Sequence, residues 1–190
     1  MDPKHAFARA VEQASDCVRQ VHADDLGRAT PCSEWDMQAL LNHMIYELLW
    51  VPDMLMGKTI KEVGTAHEGD VLRSDHAQAW QHAADAALVA VKHVPDNQIV
   101  HLSYGDTPAP DYITEMAADM LIHGWDVGRS LQCSPVFDHS LAQTVYDYYL
   151  PRKETMSAGG GFAPTVDVPE SAGLQIKLLA LTGRRADVVP

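Results

Sequence analysis

The apolar residues of this chain recur at intervals of three and four, which is the period of an α-helix with one buried face. In the first such segment, from His5 to His22, the recurring positions are Phe7, Val11, Ala14, Val18 and Val21. The same period predicts helices over residues 37–57, 75–94, 111–131 and 135–150, and a short terminal helix over residues 171–182. The pattern therefore indicates a largely helical chain.

Local signals predict where some helices begin, and one segment does not fit a helix. Ser33 and Asp36 have the spacing of a capping box, which satisfies the free amides at the start of a helix. Ser74 is a candidate cap for the helix that comes after it. Residues 99–106 instead predict a short extended segment with a turn at Gly105.

These elements predict one domain over residues 1–190, a length that suits a single hydrophobic core. Long helices joined by modest connections, with almost no strand signal, are typical of an all-α four-helix bundle. We expect residues 152–170 to form a loop over this bundle, because glycine and proline interrupt them.

The charge balance excludes several classes of partner. The sequence has 26 Asp and Glu against 14 Lys and Arg, which gives a formal net charge of −12. Such a surface repels phosphate backbones and anionic lipid headgroups, so we expect neither nucleic acid nor a membrane as a partner. The three cysteines are too far apart for a disulfide framework and no targeting segment is recognisable, so we expect a cytoplasmic protein.

The chain contains ten histidines, which raises the question of a metal site. On the predicted fourth helix, Asp119 and His123 lie one turn apart at the edge of an apolar stripe. Buried there, the carboxylate and the imidazole need a partner, because an uncompensated polar group in an apolar setting is costly. Either they pair with each other, or they share a metal ion whose third ligand comes from another helix.

His43 is the candidate for that third ligand, although composition alone does not favour it over His22, His76 or His82. Other familiar motifs are missing from the sequence, which has no H-E-x-x-H pair, no phosphate-binding glycine loop and no G-x-S-x-G nucleophile turn. A three-residue metal site and a plain ion pair within the fourth helix both stay open at this point.

Two motifs that occur in order resemble those of a known superfamily. The first is Thr30-Pro31-Cys32 followed by Trp35, Leu40 and His43, and the second runs from Asp119 through His123, Trp125 and Asp126. Together they resemble the DinB-like metalloprotein superfamily, in particular the branch that contains the N-terminal domain of mycothiol-dependent maleylpyruvate isomerase. Residues 161–169 and 178–184 are similar to the end of a small actinobacterial subfamily of metal-binding proteins.

This resemblance implies a DinB-like four-helix core and a divalent metal, zinc or nickel, held by His43, Asp119 and His123. Asp119 stands where the isomerase has glutamate, so a shorter carboxylate would have to reach the metal. The isomerase also has a second domain that these 190 residues do not include, and we therefore do not expect activity on maleylpyruvate.

Several neighbouring residues have two plausible roles. Asp126 either holds the second nitrogen of a ligand histidine or pairs with Arg129, three residues on. Glu47 either lies behind the ligands or is solvated. Trp35 is interpreted as a core anchor, Cys32 is assigned no role, and residues 104–110 are expected to form a rim of the pocket.

Three functions are compatible with such a site. The resemblance favours a metal-dependent enzyme that activates a low-molecular-weight thiol of the mycothiol type, for S-transfer to a small electrophile or for its isomerisation. The alternatives are a hydrolase that uses the open metal position for water, and a non-catalytic module that binds metal or a small ligand. The expected partners are a small-molecule substrate and the thiol, and the chain either acts alone or forms a homodimer.

Overall fold

Four long helices form the core of the fold, within a computed structural model that describes residues 1–72, 75–154 and 162–186. They are α1 (Pro3–Val18), α2 (Met37–Leu55), α4 (His76–His93) and α5 (Ala109–Ser130). The shorter elements are α3 (Ile60–Val63), α6 (His139–Tyr149) and α7 (Leu174–Leu181), with 3-10 turns at Ala23–Asp25 and Leu150–Arg152. The predicted all-α bundle is confirmed.

The long helices pack chiefly as two pairs, α1 along α5 and α2 along α4, and α2 also packs against α5. Each contributes its apolar face to one core, with Phe7 from α1, Leu41 from α2, Trp80 from α4 and Ile122 from α5 all buried. The contact between α2 and α5 positions the candidate metal ligands, because these two helices carry all three of them.

Helix α2 begins at Met37, where the apolar period predicts it, but the capping box that assigns Ser33 as the cap is wrong. Asp36 itself is the N-cap, since its Oδ1 accepts a hydrogen bond from the Ala39 amide at 2.8 Å, whereas Ser33 is exposed. The cause is the turn before the helix, in which Thr30 Oγ1 donates to the Trp35 carbonyl at 2.8 Å. This bond holds the preceding segment out of helical geometry, so the helix starts only at its true cap.

The C-terminal part also differs from its predicted boundaries. The terminal helix predicted over residues 171–182 begins only at Leu174, because Gly173 is its N-cap and residues 170 and 171 form a turn. Of the predicted loop over 152–170, residues 162–169 have no regular secondary structure and lie against α7, where the Val166 amide donates to the Ala180 carbonyl at 2.9 Å. Residues 155–161 and the predicted cap Ser74 lie outside the described residues.

The predicted extended segment is one half of a small β-hairpin. Strand β1 (Ile99–Leu102) pairs antiparallel with β2 (Gly105–Pro108), and Leu102 lies opposite Gly105 in the register. The turn is therefore made by Ser103 and Tyr104, just before the glycine that was expected to form it. From this turn the Tyr104 hydroxyl reaches a carboxylate on α5.

Gly124 lets α1 and α5 approach closely next to His123. A Cβ atom added at Gly124 would lie 2.9 Å from the Ala14 Cα, closer than side chains tolerate against backbone.

We expect Gly124→Ala to destabilise the fold by about 1–3 kcal/mol, because overpacking forces the two helices apart. Chemical denaturation measures this. The matched control is Gly27→Ala, where an added Cβ meets nothing within 4 Å, and an equal loss in both variants would contradict the explanation.

Among the residues that the structure describes, no helix is both long enough and apolar enough to cross a membrane. The longest helix, α5, illustrates this, because it carries charged side chains along its whole length. One of these, Asp119, lies where α5 faces α2, which is the location of the candidate site.

Candidate metal centre

Helices α2 and α5 bring together the three residues that the sequence singles out. Within α5, His123 Nε2 lies 3.5 Å from Asp119 Oδ1, one turn away. From α2, His43 Nε2 lies 3.4 Å from the same oxygen, and the two imidazole rings are 4.9 Å apart at their centroids. His76, by contrast, hydrogen-bonds to the Val21 carbonyl elsewhere in the fold, so the structure brings His43 and not His76 to the pair.

The distances from Asp119 Oδ1 to the two imidazole nitrogens fit a shared cation better than a direct ion pair. Charge-assisted N–H···O bonds are about 2.7–2.9 Å long, and both distances to Asp119 Oδ1 are well above that range. Ligand atoms bound tetrahedrally to zinc at about 2.0–2.1 Å are about 3.3 Å from one another. In addition, Asp119 Oδ2 is buried and has no hydrogen-bond partner among the described residues. The donor set therefore fits a metal ion.

Electrostatics couple the three residues. Burial alone raises the pKa of Asp119, but the imidazoles of His123 and His43 outweigh it and hold that pKa below its ordinary value. Burial lowers the pKa of His43, and the Asp119 carboxylate more than reverses this, so the net shift is upward. The carboxylate is thus kept ionised, which is the state that a metal ligand needs.

Asp126 holds the second nitrogen of His123, as one of the two alternatives for this residue predicts. The distance from His123 Nδ1 to Asp126 Oδ2 is 3.0 Å, and the carboxylate is completely buried. Arg129, the other candidate partner, donates instead to the Cys133 carbonyl. A carboxylate at Nδ1 favours the tautomer with its proton on that atom, which leaves the lone pair of Nε2 directed toward Asp119.

Arg184 completes this arrangement, and reasoning from the sequence missed it. Its Nη2 donates to Asp126 Oδ2 at 2.7 Å, and its Nη1 donates to the Thr182 carbonyl at 2.6 Å. The chain reaches this position just after α7, through Gly183, which has a φ of +81°. Gly183 also packs closely on Ala163, since an added Cβ would lie 2.5 Å from the Ala163 Cβ. Burial raises the pKa of Asp126, but His123 and Arg184 outweigh burial and lower it.

Cys32 also lies at the site, although the sequence alone gives it no role. Its Sγ is 3.3 Å from Asp126 Oδ2 and 3.8 Å from His123 Nδ1. Burial and the neighbouring Asp126 carboxylate raise the pKa of Cys32 to about 12. Cys32, His123 and Asp126 form a second cluster of possible metal ligands, but Arg184 Nη2 lies 3.2 Å from the sulfur. A guanidinium there competes with a cation, so the cluster around Asp119 is the better metal site.

A cavity of about 740 Å³ opens above the three candidate ligands. Trp35 is partly buried and packs against the core, as its interpretation as an anchor predicts, and it also lines this cavity, with its ring 4.7 Å from that of His43. Of residues 104–110, which are expected to form a rim of the pocket, only Tyr104 lines the cavity. The remaining walls come from the following residues: Pro31, Cys32, Ser33, Glu34, Glu47, Glu115, Met116, Tyr149, Phe162, Ala163, Gly183 and Arg184.

Glu47 lies behind His43 and is half-buried, with 27% of its side chain exposed. Its Oε1 is 3.9 Å from His43 Nδ1, one turn along α2. Burial and the Asp119 carboxylate raise the pKa of Glu47 to about 7, while His43 partly offsets the rise. Both candidate ligand histidines therefore have a carboxylate on the side of Nδ1, at hydrogen-bond distance for His123 and farther away for His43.

Comparison with known proteins identifies relatives of this chain. It is 29% identical over 147 residues to the uncharacterized proteins Rv0738 and MT0763, from two strains of Mycobacterium tuberculosis, with 75% of this chain and 74% of each relative covered. No solved structure matches it significantly. The sequence profile of the mycothiol maleylpyruvate isomerase N-terminal domain matches residues 7–128, a span that contains all three candidate ligands. Because this match covers nearly two thirds of the sequence, the chain belongs to the mycothiol maleylpyruvate isomerase N-terminal domain family.

Proposed function

We propose that this protein is a metal-dependent enzyme that activates a low-molecular-weight thiol of the mycothiol type. In the proposal, His43, Asp119 and His123 hold a divalent cation, zinc or nickel. The thiol then serves either S-transfer to a small electrophile or its isomerisation by reversible addition. Two imidazoles and one carboxylate suit zinc and nickel better than the hard cations calcium and magnesium, which prefer oxygen ligands.

One observation carries the proposal. His43 Nε2 and His123 Nε2 lie 3.4 Å and 3.5 Å from one carboxylate oxygen, at the floor of a cavity that is open to small molecules. Three protein ligands leave a coordination position free, which is characteristic of catalytic metal sites, whereas structural zinc sites have four protein ligands. When bound, such a cation lowers the pKa of a thiol or a water molecule that it binds, and so supplies a nucleophile at neutral pH.

The other residues of the site keep the ligands in place. Asp126 accepts from His123 Nδ1, and Arg184 in turn fixes Asp126, so the imidazole has one tautomer and one orientation. Trp35 covers one side of His43 and limits the access of water to it. Preorganised ligands of this kind reduce the reorganisation that metal binding requires.

The cavity and the family together favour a thiol as the activated group. A volume of about 740 Å³ lies within the roughly 300–1,000 Å³ typical of ligand pockets, and it has room for a small thiol with a second reactant. The family name associates this domain with mycothiol. A thiolate is also a strong ligand for a borderline-soft cation such as zinc.

Turnover assays test this function. With zinc-loaded protein, mycothiol and a panel of small electrophiles, we expect conjugation or isomerisation that requires both the metal and the thiol. His43→Ala should reduce this activity on the order of 100-fold or more, because a ligand is lost. His82→Ala, which removes an exposed imidazole from α4, is the matched control and should leave the activity intact.

The same assays separate the alternatives. Turnover that proceeds without thiol would indicate a hydrolase that uses metal-bound water. A protein that binds no divalent cation after reconstitution would instead be a non-catalytic member of its family. Either result would contradict the proposal.

A further inference from the structure

The walls of the cavity carry much more negative than positive charge. Four carboxylates line it, from Glu34, Glu47, Glu115 and Asp119. Arg184 is the only lysine or arginine lining it among the described residues. Asp119 belongs to the metal site, and Glu47, whose pKa is about 7, is only partly ionised at neutral pH. With a divalent cation on the three ligands, the carboxylates of Glu34 and Glu115 would therefore keep the walls negative.

Arg184 is not free to hold an anionic substrate. It binds Asp126 through two nitrogens, Nη2 to Oδ2 at 2.7 Å and Nε to Oδ1 at 3.3 Å, and its charge is thereby neutralised by a fully buried carboxylate. The Phe162 ring covers one face of the guanidinium, at 5.5 Å from its centroid. Arg184 is only 7% exposed, so little of its guanidinium is accessible to a ligand in the cavity.

Glu115 is a carboxylate of the cavity wall that neighbouring hydrogen bonds hold in position. Two tyrosine hydroxyls donate to it, Tyr104 from the hairpin turn to Oε2 and Tyr148 from α6 to Oε1 at 3.0 Å. These bonds fix the position of the carboxylate between α5, α6 and the hairpin. Each of its oxygens accepts one of these bonds, and a carboxylate oxygen has room for a second.

Aromatic rings surround the same space. Trp35, Tyr104, Tyr149 and Phe162 all line the cavity, and the rings of Tyr149 and Phe162 are perpendicular at 5.8 Å. The faces of such rings attract cations, and rings combined with carboxylates are the usual means of binding ammonium groups. The aromatic walls and the acidic lining are independent features of the cavity, and both favour a positively charged ligand.

We propose that the small molecule that shares this cavity with the thiol is an organic cation, which carries a protonated amine or a quaternary ammonium group. This inference rests on the proposed function for the identity of the site. It also separates this chain from an enzyme for maleylpyruvate, because that substrate has two carboxylates and would meet repulsion at the cavity walls. The carboxylates of Glu34 and Glu115 are the groups expected to attract the ammonium group.

A set of three aromatic probes tests the proposed charge preference by binding alone. The probes are benzyltrimethylammonium, benzyl alcohol and benzenesulfonate, and titration is followed by tryptophan fluorescence or by NMR shifts. The ammonium probe has no lone pair and cannot bind a metal. On zinc-loaded protein we expect it to bind at least roughly tenfold more tightly than benzenesulfonate and several-fold more tightly than the alcohol.

Glu115→Gln should weaken binding of the ammonium probe roughly three- to tenfold and leave benzyl alcohol almost unaffected. Glu12→Gln is the matched control, since it removes the same charge from an exposed position on α1 that does not line the cavity. Equal affinity for the three probes, tighter binding of benzenesulfonate, or equal effects of the two substitutions would overturn the inference.

The proposed function and the proposed charge preference of the cavity can fail independently of each other. If zinc does not bind, the metal-dependent function is wrong, but the charge preference of the cavity is still measured on the metal-free protein with the same probes. If zinc binds and the anionic probe is preferred, only the inference about the substrate is wrong.

Discussion

Asp126→Ala is expected to destabilise the folded protein by about 3–5 kcal/mol, one of the largest effects of any single substitution in this chain. Asp126 is fully buried and is the counterion of Arg184, which is itself almost completely buried. Without the carboxylate, the guanidinium would remain in the interior with no balancing charge. Urea denaturation monitored by circular dichroism measures the loss in the free energy of unfolding.

A double variant distinguishes charge imbalance from simple loss of packing. The double variant Asp126→Ala with Arg184→Met no longer contains the buried guanidinium that lacks a counterion. It should therefore be more stable than Asp126→Ala alone. The metal affinity of both should still fall roughly 10- to 100-fold, because His123 Nδ1 has lost its acceptor. An Asp126→Ala protein within about 1 kcal/mol of the wild type would show that the buried pair does not have the assigned structural role.

The second large effect concerns the metal. We expect His123→Ala to reduce zinc affinity on the order of 1,000-fold, because zinc sites in small domains release roughly 10–16 kcal/mol that their few ligands share. His123 Nε2 is one of the three proposed ligand atoms, and the Ala variant leaves only His43 and Asp119. Competition titration against a chromophoric chelator at fixed pH measures the affinity directly.

The control for this variant is again His82→Ala, which should bind zinc like the wild type. Circular dichroism would establish that His123→Ala still folds, since its ring is buried in the bundle. If the wild type and His123→Ala bound zinc equally, Asp119 and His123 would form only the ion pair that the sequence leaves open as an alternative.

The helices were predictable from the sequence because their signal is local. The three- and four-residue spacing of apolar side chains requires no knowledge of distant contacts, and the pair formed by Asp119 and His123 depends only on one turn of α5. His43 is different, since its approach to α5 depends on how two helices pack. The resemblance to a family motif, and not the periodicity, selected it from the other histidines.

The residues that sequence reasoning missed are those that reach the site across long stretches of chain. Arg184 is 58 residues from Asp126, and Cys32 is 94 residues from it. No short-range pattern connects such positions. One general signal was available: a carboxylate on a buried helix face needs a counter-charge, and an arginine three residues after the apolar segment 178–181 could supply it.

The central claim is that His43, Asp119 and His123 hold a divalent metal that binds a thiol. The most direct test is the absorption spectrum of the cobalt(II)-substituted protein before and after addition of mycothiol, with Cys32→Ser measured in parallel. We expect the wild type to show visible bands of tetrahedral cobalt, and these bands should be absent in His43→Ala. Addition of thiol should produce a new near-ultraviolet sulfur-to-cobalt band, and this band should also appear in Cys32→Ser. A cobalt spectrum that does not change when thiol is added, or a sulfur band that is already present without thiol and disappears in Cys32→Ser, would contradict the claim.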